Sequence, residues 1–141
     1  MEDPKTKKLK VFLKIYGVIS ILLFSFLFIM TAIDSPLLLE GGALRSMRWE
    51  IAKHVDLMIE GIYIVWGIFM LLASRKPLAY LSFLSFTLWA NLAHGLIMVP
   101  QALEMHYMSK FFTDIAYCIV LVVGLYLLTP KGDERPAAVS V

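Results

Sequence analysis

Residues 15–33 read IYGVISILLFSFLFIMTAI, nineteen residues without a charged side chain. A helix needs about twenty apolar residues to cross the roughly 30 Å hydrocarbon core of a bilayer. Five lysines precede this stretch, as in a signal peptide, but the apolar run is too long and no small-residue cleavage site follows it. The sequence therefore predicts an uncleaved membrane anchor, whose span runs from about residue 11 to residue 33.

The composition of the whole chain is typical of a membrane protein. Of its 141 residues, 60% are hydrophobic and 17% are charged, and the mean hydropathy is +0.77. A soluble chain of this length could not bury so much apolar surface, because small domains bury the smallest fraction of their chain. The single cysteine, Cys118, excludes a disulfide scaffold, and a net charge of +2 argues against a nucleic-acid partner.

Three further apolar stretches predict three more spans. They run from residue 51 to 74, from 78 to 103 and from 111 to 129. Glycine and proline residues or short charged turns separate the spans, and Pro130 follows the last one. We therefore expect one all-α membrane domain over residues 1–141, a bundle of four transmembrane helices with a disordered tail over residues 130–141.

The positions of lysine and arginine predict the orientation of this bundle. Nine of the thirteen flank the spans on the side of the two termini, and four lie on the other side. Cytoplasmic segments of membrane proteins carry the excess of these residues. The sequence thus predicts cytoplasmic termini, and we expect a protein of the bacterial inner (plasma) membrane, as a homo-oligomer or in a larger membrane complex.

Ionisable residues of three spans fall at one depth. Counted at 1.5 Å per residue from the cytoplasmic ends of their spans, Glu60, His94 and Asp114 all lie about 21–24 Å into the membrane. Charges in a spanning helix cost about 2.5–3.5 kcal/mol each, so they usually face inward and find partners. The sequence therefore predicts a polar chamber in the outer half of the bundle.

Helical spacing predicts that further polar side chains face the chamber, and their chemistry suggests that the chamber binds a ligand. Steps of three and four residues place four polar residues on the same helix faces, namely Tyr63, Asn91, Gln101 and Tyr117. We expect these four to bind a ligand and Glu60, His94 and Asp114 to bind a divalent metal, since carboxylate and imidazole suit Zn, Fe or Mn. By this count no lysine or arginine lies at that depth, so a metal cation or protons would balance the carboxylates.

Several short motifs carry a family resemblance. They are Glu60-Gly-Ile-Tyr63, Gly67-Ile-Phe, Leu72-Ala-Ser-Arg75 with Pro77, Phe86-Thr-Leu-Trp89, His94-Gly95, Met98, Gln101-Ala102 and Asp114. This region, about the last two-thirds of the chain, resembles a family of small four-helix bacterial membrane proteins of unknown function. It is also distantly similar in architecture to DoxX-like membrane proteins. The family pattern usually has glycine directly before the last aspartate, where this chain has Thr113. The resemblance implies the fold and the choice of site residues, and it implies no reaction.

Three kinds of function remain open from the sequence. The first is a protein that binds a metal or small ligand, and the second is a proton-linked carrier in which Glu60 and Asp114 exchange protons through His94. The third is a non-catalytic accessory subunit of a larger membrane complex, in which the polar residues only hold the helices in register. The chain has no H-E-x-x-H, G-x-S-x-G, P-loop or G-x-G-x-x-G motif. No catalytic residue is therefore predicted, and an enzyme is not favoured.

Overall fold

The computed structural model describes residues 3–39, 42–44, 53–104 and 106–130, and these residues form four long helices. The helices are α1 (Pro4–Ala32), α2 (Lys53–Arg75), α3 (Leu81–Glu104) and α4 (Asp114–Leu128), and 3-10 turns at Pro77–Tyr80 and Met108–Phe111 lead into α3 and α4. With those turns included, all four helices are long and apolar enough to cross a membrane. The predicted all-α, four-helix architecture is confirmed. The predicted tail beyond Pro130 lies outside the described residues.

The first helix begins before the apolar stretch that predicts it. Asp3 precedes α1, and its carboxylate accepts a hydrogen bond from the Thr6 backbone N–H at 3.1 Å, while Pro4 takes the first helical position. The 29 residues of α1 give a length of about 43 Å. The lysines that the sequence places before the span are therefore helical, on the first three turns of α1.

Helices α1 and α3 end in the same way, each with a residue in the left-handed region. These residues are Asp34, at φ 51°, and His106, at φ 57°. The next N–H reaches back five residues in each case, from Ser35 to Met30 O at 2.9 Å and from Tyr107 to Ala102 O at 2.8 Å. This Schellman arrangement satisfies carbonyls of the last helical turn. Lys53 of α2 adds an ion pair with Asp34 and so ties the start of α2 to the end of α1.

Two glycines bring α1 and α2 together. A Cβ added at Gly17 would lie 2.9 Å from the carbonyl oxygen of Gly67, and a Cβ added at Gly67 would lie 2.9 Å from that of Gly17. Small residues allow such close approach between membrane helices. Helices α2 and α3, in contrast, contact each other through aromatic side chains: the ring of Trp66 on α2 stacks on that of Phe86 on α3, with the ring centroids 5.6 Å apart.

The described residues form two apolar clusters in the bundle interior. The larger one lies in the half that holds the N-terminus of α1, and its buried residues include Leu9, Leu13, Met70, Ala73, Leu84, Leu121 and Leu125. The smaller one consists of Met98, Ala102, Ile115 and Cys118, towards the other end. Tyr117 packs against both clusters. The level of Tyr117 is therefore where polar side chains meet between the two apolar regions.

Candidate functional site

Tyr63 of α2 lies where the four helices meet. Its ring stacks on Phe24 of α1, with the ring centroids 4.4 Å apart. The rings of His94 on α3 and Tyr117 on α4 meet it edge-on at centroid distances of 6.0 and 6.1 Å. The Tyr63 hydroxyl donates to Asn91 Oδ1 on α3 at 3.5 Å. The structure thus brings together the polar faces of α2, α3 and α4, with Tyr63 at their centre.

Asn91 connects this centre to the rest of α3 and to α4. The residue is 1% exposed, and its Nδ2 donates to the Thr87 carbonyl oxygen at 2.9 Å. Its Oδ1 also accepts a hydrogen bond from the Cys118 thiol of α4, at 3.9 Å. The Thr87 hydroxyl in turn accepts a hydrogen bond from the Trp66 indole N–H of α2, at 2.9 Å. One set of side chains therefore links α2, α3 and α4.

The contribution of α1 to this centre was not predicted. The Tyr16 hydroxyl donates to the Tyr117 carbonyl oxygen at 2.6 Å. The Ser20 hydroxyl donates to the Tyr16 carbonyl oxygen at 2.7 Å and lies 2.6 Å from the Tyr117 hydroxyl. The spacing of Tyr16, Ser20 and Phe24, four residues apart, is the sequence signal for this face. It is easily overlooked because none of the three is charged.

Glu60 is buried and bonds to α1. Its Oε1 accepts a hydrogen bond from the Thr31 hydroxyl at 2.9 Å, and the two residues are only 8% and 1% exposed. Asp56, one helical turn before Glu60, is also buried. Hydrogen bonds between membrane helices stabilise the packed state by about 0.6 kcal/mol on average. The Thr31–Glu60 contact therefore fixes the end of α1 against α2, two helical turns after α2 begins.

Asp114 forms an ion pair with Lys110, and this corrects one sequence expectation. The Lys110 Nζ lies 2.8 Å from Asp114 Oδ2, and the lysine side chain is 1% exposed while that of Asp114 is 31% exposed. The sequence count of no cation at the depth of the carboxylates is wrong for Asp114. The reason is the 3-10 turn at Met108–Phe111, which places Lys110 one helical turn before Asp114 instead of in an outer loop.

The residues predicted to bind a metal have separate partners. Glu60 bonds to α1, Asp114 pairs with Lys110, and His94 contacts the ring of Tyr63. Within the described ranges, no three His, Cys, Asp or Glu side chains are grouped so that they could hold a metal ion. The predicted metal centre of Glu60, His94 and Asp114 therefore receives no support from the structure.

Gln101 does not line the interior, although spacing placed it there. Its side chain is exposed, and Ala102 occupies the buried position instead. Ten residues turn a helix through about 1000°, so Gln101 lies about 80° around the axis of α3 from Asn91. Each step of three or four residues comes close to one full turn, so the rotation that accumulates over several steps is easy to miss. Tyr63, Asn91 and Tyr117 do meet, and their role in binding a ligand stays a prediction.

These features define a class of protein: an integral membrane protein of four helices whose polar and aromatic side chains converge at one level. The chain belongs to the family of unknown function DUF6632, which matches residues 4–138. That match includes α1, whereas the motifs that carry the resemblance in the sequence begin at Glu60. Neither a curated protein nor a solved structure matches the chain. The more distant similarity to DoxX-like proteins stays a prediction.

Proposed function

We propose that this chain is a non-catalytic accessory protein that binds another transmembrane protein within the membrane. The observation that carries the proposal is how the interior polar groups are bonded. Tyr63, Asn91 and Tyr117, which spacing suggests as ligand-binding residues, make their hydrogen bonds to other helices of the bundle or to their own helix. Such bonds hold helices in register. They favour a rigid scaffold over a chamber that must open for a ligand.

The outward side of α3 favours a protein neighbour over lipid alone. Trp89 is 65% exposed and lies about midway along the span that runs from Pro77 to Glu104. Tryptophan is enriched at the two membrane interfaces, where its N–H can reach a polar group. None of the described residues accepts a hydrogen bond from the Trp89 indole, and lipid tails offer no acceptor. A partner helix with an acceptor at that depth would satisfy this N–H.

Site-specific photo-crosslinking tests the accessory role. The photoreactive residue p-benzoylphenylalanine would replace Trp89 in one variant and Leu127 of α4, which is 60% exposed, in a matched control. We expect a single transmembrane protein to cross-link from position 89 and not from position 127. Its co-purification should be lost in Trp89→Leu and retained in Leu127→Ala. Cross-links to the chain's own copies would replace the accessory role with a homo-oligomer, and equal cross-linking from both positions would overturn it.

Elemental analysis separates the accessory role from a metal-binding one. Because Glu60 bonds to Thr31 and Asp114 pairs with Lys110, we expect Zn, Fe and Mn far below one ion per chain. The protein would be purified without chelator and without an affinity-tag metal. One ion per chain that is lost in a folded His94→Ala variant would overturn the proposal in favour of a metal centre.

The proposed location is a bacterial inner (plasma) membrane, with both termini in the cytoplasm. The excess of lysine and arginine at the end of the bundle that carries the termini supports this orientation. Arg75 and Lys76, in the turn between α2 and α3, are exposed and lie at the same end as the lysines of α1.

A further inference from the structure

The end of the bundle that holds the N-terminus of α1 is strongly basic. Five exposed side chains define this basic end: Lys7, Lys8 and Lys14 on α1, and Arg75 and Lys76 where α2 leads into α3. Of the acidic residues that the structure describes, only Asp3 lies at this end, where it caps α1. The basic end therefore carries a clear excess of positive charge.

The contact between Gly17 and Gly67 shows that Lys7, Lys8, Arg75 and Lys76 lie at nearly one level, while Lys14 lies about 10 Å further along α1. The two glycines face each other across α1 and α2, which run in opposite directions. Lys7 is ten residues before Gly17, about 15 Å along α1, and Arg75 is eight residues after Gly67, about 12 Å along α2. Lys7 and Lys8 of α1 and the cations of the α2–α3 turn thus form one belt at that end of the bundle, and Lys14 lies next to the belt on its membrane side.

The length of α1 sets this belt at the membrane surface. At about 43 Å, the helix is longer than the roughly 30 Å hydrocarbon core and matches the full bilayer with its headgroup regions. Exposed apolar residues alternate with the lysines, since Val11 is 58% and Ile15 is 53% exposed. Long lysine side chains in such positions keep their stems on apolar surface and extend the charge towards water. The backbone of Lys14 lies one to two helical turns deeper in the membrane than that of Lys7 and Lys8, and its long side chain can therefore still extend to the headgroup layer.

We propose that the basic end binds the headgroups of anionic phospholipids in the adjacent leaflet. Clusters of four to eight lysines and arginines beside a transmembrane helix are attracted to acidic lipids. The cations here supply the charge for the phosphates, and Val11 and Ile15 beside them on α1 supply contacts for the acyl chains. A soluble polyanion would leave those apolar side chains uncovered, which is why a lipid fits this surface better.

Native mass spectrometry tests the proposal. The full chain, purified in mild detergent, would be equilibrated with equal amounts of phosphatidylglycerol and phosphatidylcholine that carry the same acyl chains. We expect bound phosphatidylglycerol to predominate, because each cation near an anionic surface strengthens binding about fivefold. The ratio of the two bound lipids should fall at least about tenfold in the triple variant Lys7→Gln/Lys8→Gln/Lys14→Gln. Lys53→Gln, which removes a positive charge at the other end of the bundle, should leave the ratio unchanged.

Two outcomes would overturn the proposal. One is an equal ratio of the two lipids on the native chain, or a ratio that the triple variant does not change. The other is displacement of phosphatidylglycerol by millimolar inorganic phosphate, which would indicate a site for a soluble anion. If the triple variant does not fold, Arg75→Gln/Lys76→Gln tests the same belt from α2, and an unchanged ratio in that folded variant would equally overturn the lipid site.

Discussion

Gly17 and Gly67 let α1 and α2 touch backbone to backbone, and this contact makes a direct prediction. In Gly67→Ala the new methyl group would lie 2.9 Å from the Gly17 carbonyl oxygen and from Ser20 Cβ. Overpacking of this kind costs about 1–3 kcal/mol. We expect the variant to unfold at a lower temperature in mild detergent. Gly61→Ala is the matched control on the same helix, because a Cβ there meets nothing within 4 Å and alanine favours helix, so that variant should be at least as stable as the native chain.

A second prediction at this scale concerns Lys110 and Asp114. Lys110→Met should destabilise the bundle, because it removes the buried cation of the pair. The loss should be smaller than the roughly 3–5 kcal/mol seen when one partner of a fully buried pair is removed, since Asp114 is 31% exposed and partly solvated. Asp114→Asn in the Lys110→Met background should recover part of the stability. A double-mutant cycle on thermal unfolding measures this coupling, and additive losses would show that the pair contributes nothing.

At the scale of the helix, the ends of α1 and α3 need a residue at positive φ without having glycine there. A residue other than glycine in the left-handed conformation costs about 1 kcal/mol or more. His106 is exposed, so its conformation can be altered with little effect on packing. We expect His106→Gly to raise the unfolding temperature of the protein and His106→Val to lower it. Equal unfolding temperatures of the two variants would mean that the left-handed conformation of residue 106 does not affect the stability of the protein.

The sequence predicted the four helices well and their first and last turns less well. The apolar stretches locate each span because lipid admits only helices whose backbone groups are all bonded internally. The start of α1 at Pro4 was missed because charged residues in a helix beyond the hydrocarbon core carry no hydropathy signal. The turn at Met108–Phe111 was missed for a related reason: Lys110 resembles a loop residue until the position of Asp114, four residues later, is considered.

At the scale of the whole molecule, the shared level of Tyr63, Asn91 and Tyr117 along their helices was predictable, and the rotation of residues about each helix axis was only partly so. Tyr63, Asn91 and Tyr117 meet because they share both a level and an inward face. Gln101 has turned outward, because small angular errors accumulate over the ten residues from Asn91. The partners of Glu60 and Asp114 were not predictable from charge alone, since one is a hydroxyl on α1 and the other a lysine from a turn.

The orientation of the whole bundle in the membrane provides the last prediction. If the termini are cytoplasmic, the segments that follow α1 and α3 face outwards, and single cysteines there should react with an impermeant maleimide added to intact cells. Ala43 and Ser109 are suitable positions because both are exposed. Gly42 is not, because an added Cβ would overlap the Leu37 carbonyl oxygen. The native chain, whose single cysteine is buried in the bundle, gives the background signal. A cysteine at position 137, in the tail, should react only after the cells are lysed, because lysis is needed to expose the cytoplasmic side. Labelling of position 137 in intact cells, with protection of 43 and 109, would reverse the orientation and place the basic end of the bundle on the outer surface.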